Sequence, residues 1–292
     1  MPNKSQRGRS RKLPAEGPRV SVPSTSDEQS DYISQPQSQR GRPKTLKSYS
    51  PMTIPEVEKR LGYKLTRLIP DSVSVAAMLE DETKGMGGLL RVADEGMGDM
   101  LEGRNSIKNQ VYEQILEYLN ICGPPTELDP DFMEGNIVLL SYTILRPILK
   151  AFKHETGREG IKLVVEKRIW SLDGKTGGRE DIVVVEAISD QDQIFIFIVE
   201  TKNTNAVSGI AQCLLSMKDA WGLNGGGVIY GFVFTELYWQ MIRYDGVFRI
   251  THRTLFYFDT NDKELWNEAV STLIDCVFVA LRKGGVQDGV GG

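Results

Sequence analysis

Three short runs of β-branched and aromatic residues, following one another within forty positions, constrain this chain more than any other feature. They are residues 161–170 (IKLVVEKRIW), 181–188 (DIVVVEAI) and 193–200 (QIFIFIVE), separated by Gly- and Asp-containing turns. Runs of this length and composition bounded by turn residues predict three consecutive strands. A fourth strand is expected at 228–235 (VIYGFVFT), after a helical stretch at 206–221 that Leu-Asn-Gly-Gly-Gly ends. Residues 238–244 and 247–251 read as a hairpin across Asp245-Gly246, and 265–281 as a closing amphipathic helix. Upstream, apolar residues recur at helical spacing from Ile107 to Leu119 behind Asn105-Ser106, and again from Ile137 to Phe152. The expected class is α/β, with a central mixed sheet flanked by helices.

The rest of the chain divides by composition. Residues 1–50 are rich in Ser, Gln, Pro, Arg and Lys and poor in large apolar residues, so they are expected to form a disordered basic arm. Ten basic and four acidic side chains give this arm a net charge of +6, whereas residues 51–292 hold 25 basic and 35 acidic side chains, net −10. A basic arm on an acidic body points to a nucleic-acid partner. Residues 51–134 read as a helical connector, 135–283 as the main domain and 284–292 as a flexible Gly-rich tail. Three scattered cysteines and two histidines argue against a disulfide framework, a structural zinc site or a His-based triad. The polar N-terminus and the absence of an apolar run of about 18 residues lead to the expectation of an intracellular, nuclear protein with no membrane association.

The chemistry concentrates at one strand end. Residues 193–202 finish in Glu200-Thr201-Lys202, and the period-two alternation of a strand sets Glu200 and Lys202 on one face. Asp181 opens the preceding run. If the two strands pair as a hairpin, Asp181 and Glu200 meet at the same end of the sheet. Two carboxylates beside an ammonium suit a hard divalent cation, Mg²⁺ or Mn²⁺, and a water attacking a phosphodiester. Two other acidic-x-Lys triplets occur, Glu82-Thr83-Lys84 and Asp173-Gly174-Lys175, but neither ends a strongly apolar run behind a second carboxylate. The alternative is that Glu200 and Lys202 are solvated strand-end charges.

Gly178-Arg179-Glu180-Asp181-Ile182-Val183-Val184, then Ile198-Val199-Glu200-Thr201-Lys202, then a helix carrying Gln212, resembles the core of the PD-(D/E)XK nuclease superfamily, including the nuclease-like domains of fungal and oomycete Crinkler-type proteins. The resemblance covers about 120 residues. It implies a restriction-endonuclease-like core, Asp181 and Glu200 as metal ligands, Lys202 as the catalytic lysine and Gln212 as a further active-site residue. Metal-dependent cleavage of nucleic acid, DNA above all, would follow, with a homodimer or a host protein as a further partner. The chain departs from the pattern in places. Glu180 stands where the motif has proline, and Ser216 where a tyrosine follows the glutamine. No clear additional acidic ligand is visible; Glu166 is the nearest candidate, with Glu113 and Glu117 upstream. These departures leave room for a catalytically inactive nuclease fold that binds DNA or protein.

Other features have simpler expectations. Arg40-Gly41-Arg42-Pro43-Lys44 matches an AT-hook core, in which Arg40 and Arg42 would enter an A·T minor groove and Lys44 would meet a phosphate; a solvated basic tail or import signal is the alternative. His252, between Arg249 and Arg253, reads as a strand-end surface residue. Cys213 reads as core packing, and Trp170, Trp221, Trp239 and Trp266 as core or rim aromatics.

Overall fold

A computed structural model describes residues 46–84, 97–124, 133–203, 206–256 and 263–285. Residues 1–45, with Arg40, Arg42 and Lys44, lie outside the described residues, as do 286–292 of the tail. Residues 46–50, expected to belong to the disordered arm, instead join the folded body, with Lys47–Ser48 paired as a strand and Tyr49 buried. The elements run β1 (Lys47–Ser48), α1 (Ile54–Leu61), α2 (Leu65–Leu68), α3 (Val75–Thr83), α4 (Met97–Cys122), α5 (Glu134–Thr156), β2 (Ile161–Trp170), β3 (Thr176–Ala187), β4 (Gln193–Thr201), α6 (Ala206–Leu223), β5 (Ile229–Phe234), β6 (Tyr238–Tyr244), β7 (Phe248–Ile250), β8 (Thr254–Leu255) and α7 (Lys263–Lys283). From α4 onward this is the order that periodicity predicts, with the two-residue β8 added.

The strands form one open, mixed sheet in the order β1-β3-β4-β5-β6-β7, with β2 on β3 and β8 on β6. β2, β3 and β4 form an antiparallel meander, and β4 to β5 is a parallel step. A parallel step cannot be closed by a tight turn, and α6 supplies the crossover. Alternation along the strands then builds two cores. Ile182, Val184, Phe197, Val199, Phe232 and Phe234 point to the layer of α4, α5 and α7, while Val183, Val185, Ile198 and Val233 point to α6 and α1. With both faces covered, β4 and β5 are buried along almost their whole length, which explains their unbroken apolar runs. At Gly231 in β5 a Cβ would fall within 2.6 Å of Cys213 Sγ, so α6 can lie this close only over glycine.

The stretch after the arm holds three short helices that pack on this body. α1 begins with a Thr53/Glu56 capping box and closes on left-handed Gly62. β1 pairs in parallel with the start of β3, and Tyr49 is buried with its hydroxyl donating to Asp219 at 2.6 Å. Thr176 and Arg60 also donate to Asp219, so this buried carboxylate fastens residues 47–60 to α6 and β3. On the other side Glu82 of α3, 3% exposed, accepts from Tyr230 Oη at 2.6 Å and pairs with Arg243 and Lys283.

Besides a bulge in the β3–β4 ladder at Val184/Val185, two irregularities interrupt the sheet around β3. β2 takes the full length of one edge of β3, so β1 and β4 share the opposite edge. β1 pairs there with Thr176 and Gly177, and β4 from Ile182 onward. Residues 178–181 are the gap between them. Across the same level of β2, Glu166 has φ 57°, the one positive φ outside glycine among the described residues. The register of β2 with β3 is unchanged on either side of Glu166 and Asp181, but the two facing positions are not paired. The strands exchange faces here: Ile182 points to the α5 layer, whereas Glu180, two residues earlier, reaches Ser216 of α6.

Candidate functional site

The gap in β3 collects three of the residues that the sequence singles out, Asp181, Glu200 and Lys202. Asp181 and Glu200 follow in register from the pair Ile182–Val199, so the hairpin brings both carboxylates to one end of the sheet. Thr201 donates its backbone N–H and its hydroxyl to Asp181 Oδ2, at 2.7 and 2.8 Å. These two hydrogen bonds fix the Asp181 rotamer and do not engage Oδ1. Glu200 is 2% exposed and accepts from Lys202 Nζ at 2.8 Å, as expected for neighbours on one strand face. Lys202 continues the β4–β5 pairing by donating its N–H to Phe234 O, and its stem lies against Gly209 of α6, where a Cβ would fall 2.9 Å from Lys202 Cγ.

A residue missed in the sequence completes the cluster. Lys202 Nζ also donates to Glu134 at 2.8 Å, the first residue of α5. The apolar periodicity that marks this helix begins at Ile137, so Glu134 falls just outside the segment it highlights. A signal was present: an acidic residue in the first turn of the helix leading into the sheet. Glu166, the nearest candidate from sequence, instead pairs with Arg179 at 3.1 Å on the exposed surface. Glu113 and Glu117 are on α4, with Glu113 exposed and Glu117 beside Gln114 at 3.5 Å.

The electrostatics reflect burial. Desolvation and, secondarily, the Asp181 charge push the Glu200 carboxyl up to about 7, against the pull of Lys202. Burial also raises Asp181, with the two Thr201 bonds and Lys202 opposing it. Burial works against the charge on Lys202, but Glu200 and Glu134 more than offset this and hold its ammonium above the ordinary lysine value. The two ends of the Glu200–Lys202 pair thus differ: its carboxylate partners hold the lysine charged, while burial and Asp181 resist the charge on Glu200. Glu180 lies directly behind, 1% exposed and held well above the ordinary range by burial and by Glu200, with Oε2 unpaired.

The remaining sequence candidates have these positions. Gln212 is on α6, one turn beyond Gly209, where it donates to Ser208 at 3.0 Å. It lines a pocket of about 220 Å³ with Tyr49, Met52, Val57, Val207 and Ala211. Ser216, in the place of the expected tyrosine, is buried and donates to the carbonyls of Gln212 and Cys213. Cys213 is fully buried. His252 is exposed beside Ser72 O, and Arg253 lies over the Tyr238 ring at 4.6 Å. Trp239 and Trp266 are core residues, but Trp170 remains 41% exposed.

Among the described residues, no three His, Cys, Asp or Glu side chains are arranged to hold a metal ion. The donor set that does exist, two hard carboxylates at adjacent strand ends, fits the class of ion that takes one or two carboxylates and completes its shell with water and phosphate oxygens. Among the described residues no helix is long and apolar enough to cross a membrane. No protein-family model and no curated protein matches this chain by sequence.

Proposed function

We propose that this chain is a metal-dependent nucleic-acid hydrolase with a restriction-endonuclease-like core, acting on DNA in the nucleus. The observation that carries this reading is the meeting of Asp181, Glu200 and Lys202 at the gap that β1 and β4 leave along β3. Their backbone is held by a sheet buried on both sides. Asp181 and Glu200 would hold Mg²⁺ or Mn²⁺, which supplies positive charge against the phosphodiester undergoing cleavage. Lys202 has its ammonium between Glu200 and Glu134. There it orients the attacking water and offsets charge that builds on the phosphate oxygens. Thr201 keeps Asp181 in the orientation that faces this point. Gln212 lines the pocket beside Tyr49 and Met52 and touches none of Asp181, Glu200 and Lys202, so its contact with a substrate strand rests on the resemblance alone.

One observation favours a second reading. Lys202 already bridges Glu200 and Glu134, so its ammonium is engaged within the protein before any phosphate arrives. An ammonium held in this way also suits a nuclease fold retained as a DNA- or protein-binding module.

Metal titration by calorimetry and cleavage of plasmid and single-stranded DNA with Mg²⁺ or Mn²⁺ separate the two. For a nuclease, Asp181→Asn and Glu200→Gln lose metal binding and cleavage together. Lys202→Ala loses cleavage while keeping or tightening metal binding. Wild-type protein that binds no divalent metal and cuts neither substrate would leave the binding-module reading.

A further inference from the structure

The face exchange at Glu166 and Asp181 has a consequence beyond the site itself. Past this point the β2–β3 hairpin presents a surface that neither core covers. Arg168 and Arg179 are cross-strand partners on it, directly opposite one another in the register. Two residues on, Trp170 faces Gly177. A Cβ at Gly177 would fall 2.8 Å from Trp170 Cε3, so the glycine seats the indole against the neighbouring strand. Like charges directly opposite on an antiparallel pair destabilise it. Arg179 is relieved by Glu166, but among the described residues no carboxylate holds Arg168, which lies 6.0 Å from the Trp170 ring. The Glu166 ion pair and the Trp170 ring offset this repulsion, yet both guanidiniums remain exposed, on a body whose net charge outside residues 1–50 is −10.

We propose that this hairpin face is a single-strand nucleic-acid subsite, with phosphates on Arg168 and Arg179 and an unstacked base on Trp170. It deepens the nuclease reading, on which its link to cleavage rests, by assigning the path of the strand away from the reaction centre. Arg179 precedes Asp181 by two residues, about 7 Å along a strand, so a phosphate at Asp181 has its neighbour within reach of a guanidinium. Guanidiniums tracking a backbone beside an exposed aromatic are the elements of single-strand recognition. A duplex keeps its bases stacked and offers nothing to Trp170. Glu166, in this arrangement, competes with phosphate for Arg179.

The test is fluorescence anisotropy of the full chain with a labelled single-stranded oligonucleotide and its duplex, in EDTA across a salt series. Trp170→Ala should weaken single-strand binding by between about fivefold and a hundredfold, change duplex binding less than about twofold, and be rescued by Trp170→Phe. Arg168→Ala should lower the single-strand salt slope by about 0.7, the loss of one phosphate contact. Glu166→Gln should tighten binding, a gain that misfolding cannot produce. The proposal is overturned if all of these variants bind the single strand as wild type does, if Trp170→Ala weakens duplex equally, or if wild-type protein does not bind single strands. Because EDTA removes metal, cleavage does not enter. Normal cleavage by wild type alongside unaltered binding by the variants would sink this subsite alone, whereas altered binding without any cleavage would sink the nuclease reading alone.

Discussion

Replacing Glu200 with glutamine should make the protein more stable above neutral pH while removing its proposed function. Glu200 is almost wholly buried, and desolvation together with Asp181 raises its carboxyl from 4.5 to about 7. A carboxyl whose pKa is raised on folding contributes stability that is fully present below its unfolded value. That stability is lost as pH rises through the folded value. The window is therefore about pH 4.5 to 7, and it belongs jointly to Glu200 and to Glu180 behind it, since the two titrate as a pair. A displacement of about 2.5 pH units corresponds to roughly 3 kcal/mol at pH 8. For a folded body of this size that is about 6–12 °C in melting temperature. Thermal melts of wild type and Glu200→Gln, followed by circular dichroism from pH 4.5 to 8.5 in EDTA, should coincide at the acid end. They should diverge in favour of the variant as pH rises. Divalent metal at pH 8 should raise the wild-type midpoint and leave the variant unmoved. A difference that does not vary with pH, or a variant less stable at pH 8, would show that Lys202 compensates Glu200 fully and that the burial argument is wrong.

The same geometry sets three further expected outcomes. Glu166→Gly should raise the melting temperature by a few degrees, because removing the side chain relieves about 1–2 kcal/mol of left-handed backbone strain while losing only an exposed ion pair; no change would mean the strain is small. Tyr49→Phe deprives buried Asp219 of one donor and should cost about 1–3 kcal/mol, read as earlier proteolysis within residues 47–60 before the rest of the body. Deleting residues 1–45 should leave the melting temperature unchanged and flatten the salt dependence of DNA binding, since it removes most of the basic charge of the arm but spares β1 and Tyr49; an unchanged salt slope would take the arm out of recognition.

Much of the fold was legible because it rests on local periodicity. The apolar runs of β4 and β5 are unbroken because both faces are covered, and the helices declare themselves by their one buried stripe. The same regularity made Asp181, Glu200 and Lys202 readable as a set: alternation fixes Glu200 against Lys202, and the short turn between β3 and β4 returns Asp181 to the same end. Composition likewise separates the basic arm from the acidic body.

What local pattern could not decide is which distant residue completes each cluster. Glu134 reaches Lys202 only because α5 lies across the sheet with its first turn over the end of β4, a matter of helix packing that no spacing in the chain records. Glu166 is close to Asp181 in register, yet one left-handed residue turns it outward to Arg179, and sequence alternation would have it on the wrong face. Tyr49, more than a hundred residues from Asp219, becomes part of the body through a single buried carboxylate. The chain dictated its elements and one hairpin's worth of chemistry through interactions between near neighbours; the partners of Lys202, the orientation of Glu166 and the Arg168–Arg179 face were decided only when the layers packed.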